Sequence, residues 1–288
     1  MRMTGRRTSD NVEDRRSMSV GKASSMGIGG IILVGLIAWL TGGNPLEAIL
    51  QQATSNMQVT TESGEEYTPT AEEEELANFA SQILAGTEDV WTEEFKKMGK
   101  TYQPPKLVLF KNAVTSGCGN ASSSSGPFYC SADQCVYLDL DFFMTMKQSI
   151  GADGDFAYAY VIAHEVGHHV QYLLGTLTQA HQKMARVSET ESNQISVRLE
   201  LQADFYAGVW AHQDNERFGS LEDGDLEEAL NAAKKIGDDY LQKKARGYTV
   251  PESFNHGTSE QRHRWLKKGL TTGNVADGDT FSPAYANL

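Results

Sequence analysis

Residues Ala159–Gly175 read AYVIAHEVGHHVQYLLG and hold three of the chain's seven histidines. On a helix each residue turns its side chain by about 100°, so residues four apart share a face. His164 and His168 therefore point the same way, whereas His169 is swung about 140° from His164 and serves another purpose. The spacing predicts one long helix from Asp155 to Leu174, entered from the turn GADGD. Tyr160, Val161, Ile162 and Ala163 make its flank apolar, as for a helix that crosses a core. Two histidines and a glutamate on such a stripe are costly to bury unless something binds them. The H-E-x-x-H pattern supplies that something. His164 and His168 are candidate zinc ligands, and Glu165, turned off the metal axis, stands where a general base takes a proton from a metal-activated water. Gly167 leaves room for a second helix to come close.

A catalytic zinc takes three protein ligands and keeps one position open. The metzincin arrangement is excluded, because Gln171 and Leu174 occupy the positions it needs. A second helix, expected over roughly Ser192–Gln213, contains ISVRLELQADFYAGVWAH. There Glu200 and Asp204 are four apart on one face, flanked by Ser196, Ala203 and Ala207. Small neighbours let this face approach another helix, so Glu200 is the expected third ligand. Asp204 is the expected acceptor for a ligand histidine's free N–H. Glu189, Glu191, His181 and His212 are rival ligands in more polar stretches.

Around these two helices the chain reads as α+β, mainly helical with a small sheet. A helix is expected near Thr70, breaking at Gly86 and resuming through Val90, Trp91 and Phe95. PPKLVLFKNAV (104–114) and CVYLDLDFF (135–143) are the strand candidates, and the second alternates Val136, Leu138 and Leu140 with Tyr137 and Asp139. Helical segments are expected at 224–245 and 259–269, then a loose tail.

A net charge of −13 argues against general nucleic-acid binding. The basic residues Arg2, Arg6, Arg7, Arg15, Arg16 and Lys22 all precede the apolar run GIGGIILVGLIAWL (27–40). As a helix that run is about 21 Å long, short of a ~30 Å hydrocarbon core. The basic leader and Trp39 favour a single-pass signal anchor over a cleaved signal peptide or a core helix, with the main domain outside the cytoplasm. The expected division is a leader (1–26), an anchor (27–42), a linker (43–69) and one domain (70–288). Cys118, Cys130 and Cys135 allow three disulfide pairings, of which Cys118–Cys130 would close the loop GNASSSSGPFY.

HEVGH followed by ELQAD resembles the gluzincin pattern. Together with RRTSDNVEDRR (6–16), SGCGNASSSSGPFYCSADQCVYLDLDFF (116–143), ELQADFYAGVWA (200–211) and HGTSEQRHRW (256–265), the chain resembles the bacterial neutral zinc metallopeptidase family over nearly its full length. The resemblance implies a zincin-like fold and zinc-dependent hydrolysis of peptide or protein substrates. It implies a domain on the outer side of the bacterial cell membrane and a Cys118–Cys130 disulfide. It also suggests His256 as the group that stabilises an oxyanion, and Arg262 as one that orients Asp204 or substrate. A strand around Val136–Leu140 is expected to be an edge that holds an extended substrate. The rival reading is a zinc-binding envelope scaffold or partner-binding domain without turnover.

Overall fold

The computed structural model describes residues 1–17 and 67–288. The expected anchor (27–42) and nearly all of the expected linker (43–69) lie outside the described residues. Strand β1 (Val12–Asp14) comes from the leader. Helix α1 (Ala71–Lys97) starts at a reciprocal cap, in which the Thr70 hydroxyl accepts from the Glu73 N–H and the Glu73 carboxylate accepts from the Thr70 N–H. Strand β2 (Lys106–Phe110), the hairpin β3 (Ala113–Ser116) and β4 (Gly119–Ser122), and strands β5 (Phe128–Cys130) and β6 (Cys135–Asp139) follow. The remaining helices are α2 (Asp141–Ile150), α3 (Asp155–Leu174), α4 (Thr176–Met184), α5 (Glu189–Phe218), α6 (Asp225–Lys235), α7 (Asp238–Arg246) and α8 (Ser259–Thr272). This is a mainly helical α+β architecture. Among the described residues no helix is long and apolar enough to cross a membrane.

The main sheet runs β1-β2-β6-β5, with β1 and β6 parallel to β2 and β5 antiparallel to β6. Val136–Leu140 is therefore not an edge: β6 is hydrogen-bonded on both sides, and the edge beside the helices is β5. Both faces of β6 are buried. Val136, Leu138 and Leu140 pack into the main core, while Cys135 and Tyr137 join a smaller cluster with Val108, Phe110 and Val114. The alternation seen in the sequence thus separates two cores rather than core from solvent.

Three further expectations change. Gly86 does not break α1. A Cβ there would lie 2.7 Å from an Arg6 guanidinium nitrogen and 2.9 Å from an Asp214 carboxylate oxygen, so glycine makes room for that ion pair inside a continuous helix. The segment 224–245 is two helices, parted at Gly237, whose Cβ would meet the Ser259 backbone nitrogen at 2.3 Å. The tail is not loose: the Thr280 hydroxyl donates to the Arg198 carbonyl, Gln202 donates to the Gly278 carbonyl, and Leu288 is buried.

Candidate metal centre

Helix α3 spans the residues the histidine spacing predicts, and it is buried along most of its length. Its core face meets α5, and at Gly167 the two helices come close enough that a Cβ would stand 2.9 Å from the Ala203 carbonyl oxygen. The absent side chain lets the two helices sit close enough for short polar groups to meet. There the His164 Nε2 lies 3.2 Å from one Glu200 oxygen, and the His168 Nε2 lies 3.4 Å from the other. One donor atom from each of the three residues falls within 4.8 Å of the rest, and no other such group occurs among the described residues. The rivals Glu189, Glu191, His181 and His212 are not part of it.

The other ring nitrogens are held by different partners. His164 Nδ1 is 2.8 Å from Asp204 Oδ1. Asp204 is fully buried and also receives both a bidentate guanidinium from Arg262 (2.9 Å on each arm) and the Tyr160 hydroxyl at 2.5 Å. Arg262 reaches it because α8 crosses α5 at a glycine contact: the Cβ of Gly269 would collide with the Phe205 carbonyl at 2.1 Å. His168 Nδ1 instead meets Gln171 Oε1 at 2.9 Å. The Gln171 amide nitrogen donates to the Leu199 carbonyl (2.8 Å) and to Gln202 Oε1 (3.1 Å), which leaves its oxygen to face the histidine. With Nδ1 held as the donor in each ring, a neutral imidazole would present its Nε2 lone pair to the common centre. Two imidazole nitrogens and a carboxylate suit zinc, with room left for an exchangeable fourth ligand.

Burial alone would lower the His164 pKa, but Asp204 and Glu200 carry it up to about 10. Glu200 behaves in the opposite sense: burial opposes its ionisation, and the facing histidines hold it well below the usual carboxylate range. Glu165 is buried beside the cluster. Burial pushes its proton affinity up, while His164, His168 and a hydrogen bond from the Tyr129 backbone N–H pull it back. Tyr129 belongs to β5, so the edge strand runs beside the expected general base. The Cys118–Cys130 disulfide joins the end of β5 to the hairpin turn. Cys135 is free and buried.

His169 faces away from the centre. Its Nε2–H donates to the Gln103 carbonyl at 2.7 Å, and its Nδ1 accepts from the Tyr129 hydroxyl at 2.9 Å. His256 stands outside the ligand group, with its Nδ1 3.1 Å from Asp238 Oδ1. The second Asp238 oxygen collects the N–H groups of Asn255, His256 and Gly257, which fixes the loop before α8. Burial would lower the His256 pKa, yet the fields of Asp238 and Glu200 raise it.

Tyr160, Gln171 and Tyr129 are parts of the centre that sequence reasoning missed. Tyr160 is four residues before His164 and Gln171 three after His168, so helical spacing could have found both. Nothing local marks Tyr129, which arrives from the sheet. A separate cavity of about 670 Å³, lined by Lys183, Arg198, Gln202 and Phe281, opens beside α5. Arg198 and Gln202 are each about 160° around that helix from Glu200, so the cavity is not the reaction site.

A family model described as "Putative neutral zinc metallopeptidase" matches residues 1–281. A protein of Escherichia coli strain K12, "Uncharacterized protein YpfJ", is 50% identical over 98% of this chain and 99% of its own length. "Uncharacterized protein Mb2605" of Mycobacterium bovis and "Uncharacterized protein Rv2575" of Mycobacterium tuberculosis are each 44% identical over 64% of both chains. No solved structure matches.

Proposed function

Because the chain belongs to the family described as "Putative neutral zinc metallopeptidase", we propose that it is a peptidase of zincin-like fold that hydrolyses peptide bonds, with His164, His168 and Glu200 as zinc ligands. The observation that carries this reading is the convergence of those three donors beside a buried Glu165. A zinc ion held there supplies Lewis acidity, which acidifies a water and polarises the scissile carbonyl. Glu165 takes the water's proton and later delivers it to the leaving amine. Burial raises its proton affinity, which favours both roles. Asp204, clamped by Arg262 and Tyr160, holds His164 in register; Gln171 does the same for His168. The outer edge of β5 offers backbone groups to an extended peptide. His256, anchored on Asp238, serves as donor to the developing oxyanion.

The apolar run Gly27–Leu40 supports membrane association in a bacterial envelope. The test compares Glu165→Gln with His164→Ala. We expect Glu165→Gln to bind one zinc per chain while losing about 10²–10⁴-fold in peptide hydrolysis, and His164→Ala to lose the zinc. A Glu165→Gln protein that retains hydrolysis, or a folded parent that takes up no zinc, would sink the proposal.

A further inference from the structure

The leader and the domain are parts of one body. β1 lies before the apolar run, and its partner β2 lies after it, in the register Val12↔Leu107, Glu13↔Val108 and Asp14↔Leu109. Each leader arginine is engaged by a carboxylate. Arg2 meets Glu222, Arg15 meets Glu13, and Arg7 meets Glu88 and Asp89. Arg16 is buried against Asp14 and Glu74. Arg6 makes a bidentate contact with the fully buried Asp214 at 3.0 and 2.5 Å, in the space that Gly86 leaves open. These charges suggest a cytoplasmic leader when read as sequence, yet in the fold Arg2, Arg6, Arg7 and Arg16 pair with acids of the domain, and Arg15 pairs with Glu13 of the leader itself.

The two flanks of residues 18–66 also meet. Arg16 donates to the Glu73 carbonyl at 3.3 Å, and the Tyr67 ring lies under Lys111, which pairs with the Glu73 carboxylate. The chain thus leaves and re-enters beside the first turn of α1. A single crossing by Gly27–Leu40 would put β1 and β2 on opposite sides of a ~30 Å hydrocarbon layer. It would also strip Asp214 of its only guanidinium among the described residues. The run itself, about 21 Å as a helix, is short for a crossing.

We infer that the leader and the domain share one side of the membrane, so that β1 and β2 pair with no bilayer between them. This rests on the membrane association proposed above.

The experiment uses the full chain in spheroplasts, with a membrane-impermeant maleimide and two single variants at exposed positions, Thr4→Cys and Lys267→Cys. The parent, whose cysteines are disulfide-bonded or buried, sets the baseline. The expected result is that both variants fractionate with membranes and are labelled alike, either both in intact spheroplasts or both only after lysis. Labelling from opposite sides overturns the inference while leaving membrane association standing. Recovery of the chain in the soluble fraction, with no flotation on vesicles of phosphatidylethanolamine and phosphatidylglycerol, overturns the membrane association and the inference with it. Flotation that is lost in Ile32→Asp/Leu36→Asp supports the apolar run as the point of contact.

Discussion

Replacing Gln171 by leucine removes the only acceptor, among the described residues, for His168 Nδ1, at 2.9 Å, and leaves the rest of the cluster in place. Gln171 is fully buried, so no water can substitute. Without that acceptor the ring has no reason to keep its proton on Nδ1, and its Nε2 lone pair is no longer held toward Glu200. Loss of an outer partner of this kind typically weakens metal binding by about 10–100-fold, which is about 1.4–2.7 kcal/mol. The cost to the fold should be of similar size and separable from it: the Gln202 Oε1 loses a donor, worth about 1–3 kcal/mol, offset in part by leucine's apolar surface. Gln171→Glu keeps an acceptor for His168 Nδ1 while giving up the amide donor to the Leu199 carbonyl and Gln202 Oε1, so it separates the acceptor's role in zinc binding from the cost to the fold. The assay is zinc competition against a chromophoric chelator, read beside the ¹⁵N shifts of the His168 ring, which report the tautomer. Leucine should lose affinity and scramble the tautomer, while glutamate should keep both. Unchanged affinity in Gln171→Leu would refute the reasoning, as would equal losses in the two variants, since both would mean that Gln171 only fills space.

Gly167→Ala should push α3 from α5, because the new methyl would stand 2.9 Å from the rigid Ala203 carbonyl. Overpacking of about 1–3 kcal/mol exceeds the ~1 kcal/mol gained in helix propensity, so urea unfolding should shift to lower concentration and zinc affinity should fall; a more stable variant would contradict the close contact. Burial lowers the His169 pKa from 6.5 to about 4, so the unfolded chain binds a proton there that the folded chain refuses. Stability from this group is therefore full above pH 6.5 and declines as the pH falls toward 4, by up to about 3 kcal/mol; urea titrations across that window should show the loss, and His169→Gln should flatten it.

The parts of the centre legible in the sequence are those governed by helical periodicity. His164 and His168, and likewise Glu200 and Asp204, are four apart, and a helix brings such residues together whatever surrounds it. The boundaries of α3 follow for the same reason, since a glycine stands at each end. What could not be read depends on contacts between distant segments. Gly86 looks like a helix break in a local window and is a packing device once Arg6 and Asp214 meet over it. Val136–Leu140 reads as a half-buried strand, but both of its faces are covered by cores assembled from elsewhere. The leader reads as the basic flank of a membrane anchor because hydropathy and charge rules weigh neighbours along the chain, whereas its strand pairs with residues more than ninety positions later.

The same contrast explains how α5 organises the molecule. Glu200, Asp204 and Asp214 are acids on one helix, and each is answered by bases from a different part of the chain: the α3 histidines, Arg262 of α8, and Arg6 of the leader. At all three places a glycine contact lies close by, Gly167, Gly269 and Gly86 respectively, where a Cβ would meet a neighbouring element at under 3 Å. Buried ion pairs of this sort add little net stability over apolar packing, but removing one member costs about 3–5 kcal/mol because the other is stranded. Their effect is therefore to penalise every arrangement in which a segment docks elsewhere. A helix so constrained holds Glu200 and Asp204 at fixed distances from α3, which a three-ligand metal centre requires and which apolar packing alone, tolerant of small slides, would not impose. Asp214 extends that logic to the leader: the charge that aligns the far end of α5 can be neutralised only if residues before the apolar run fold onto residues after it.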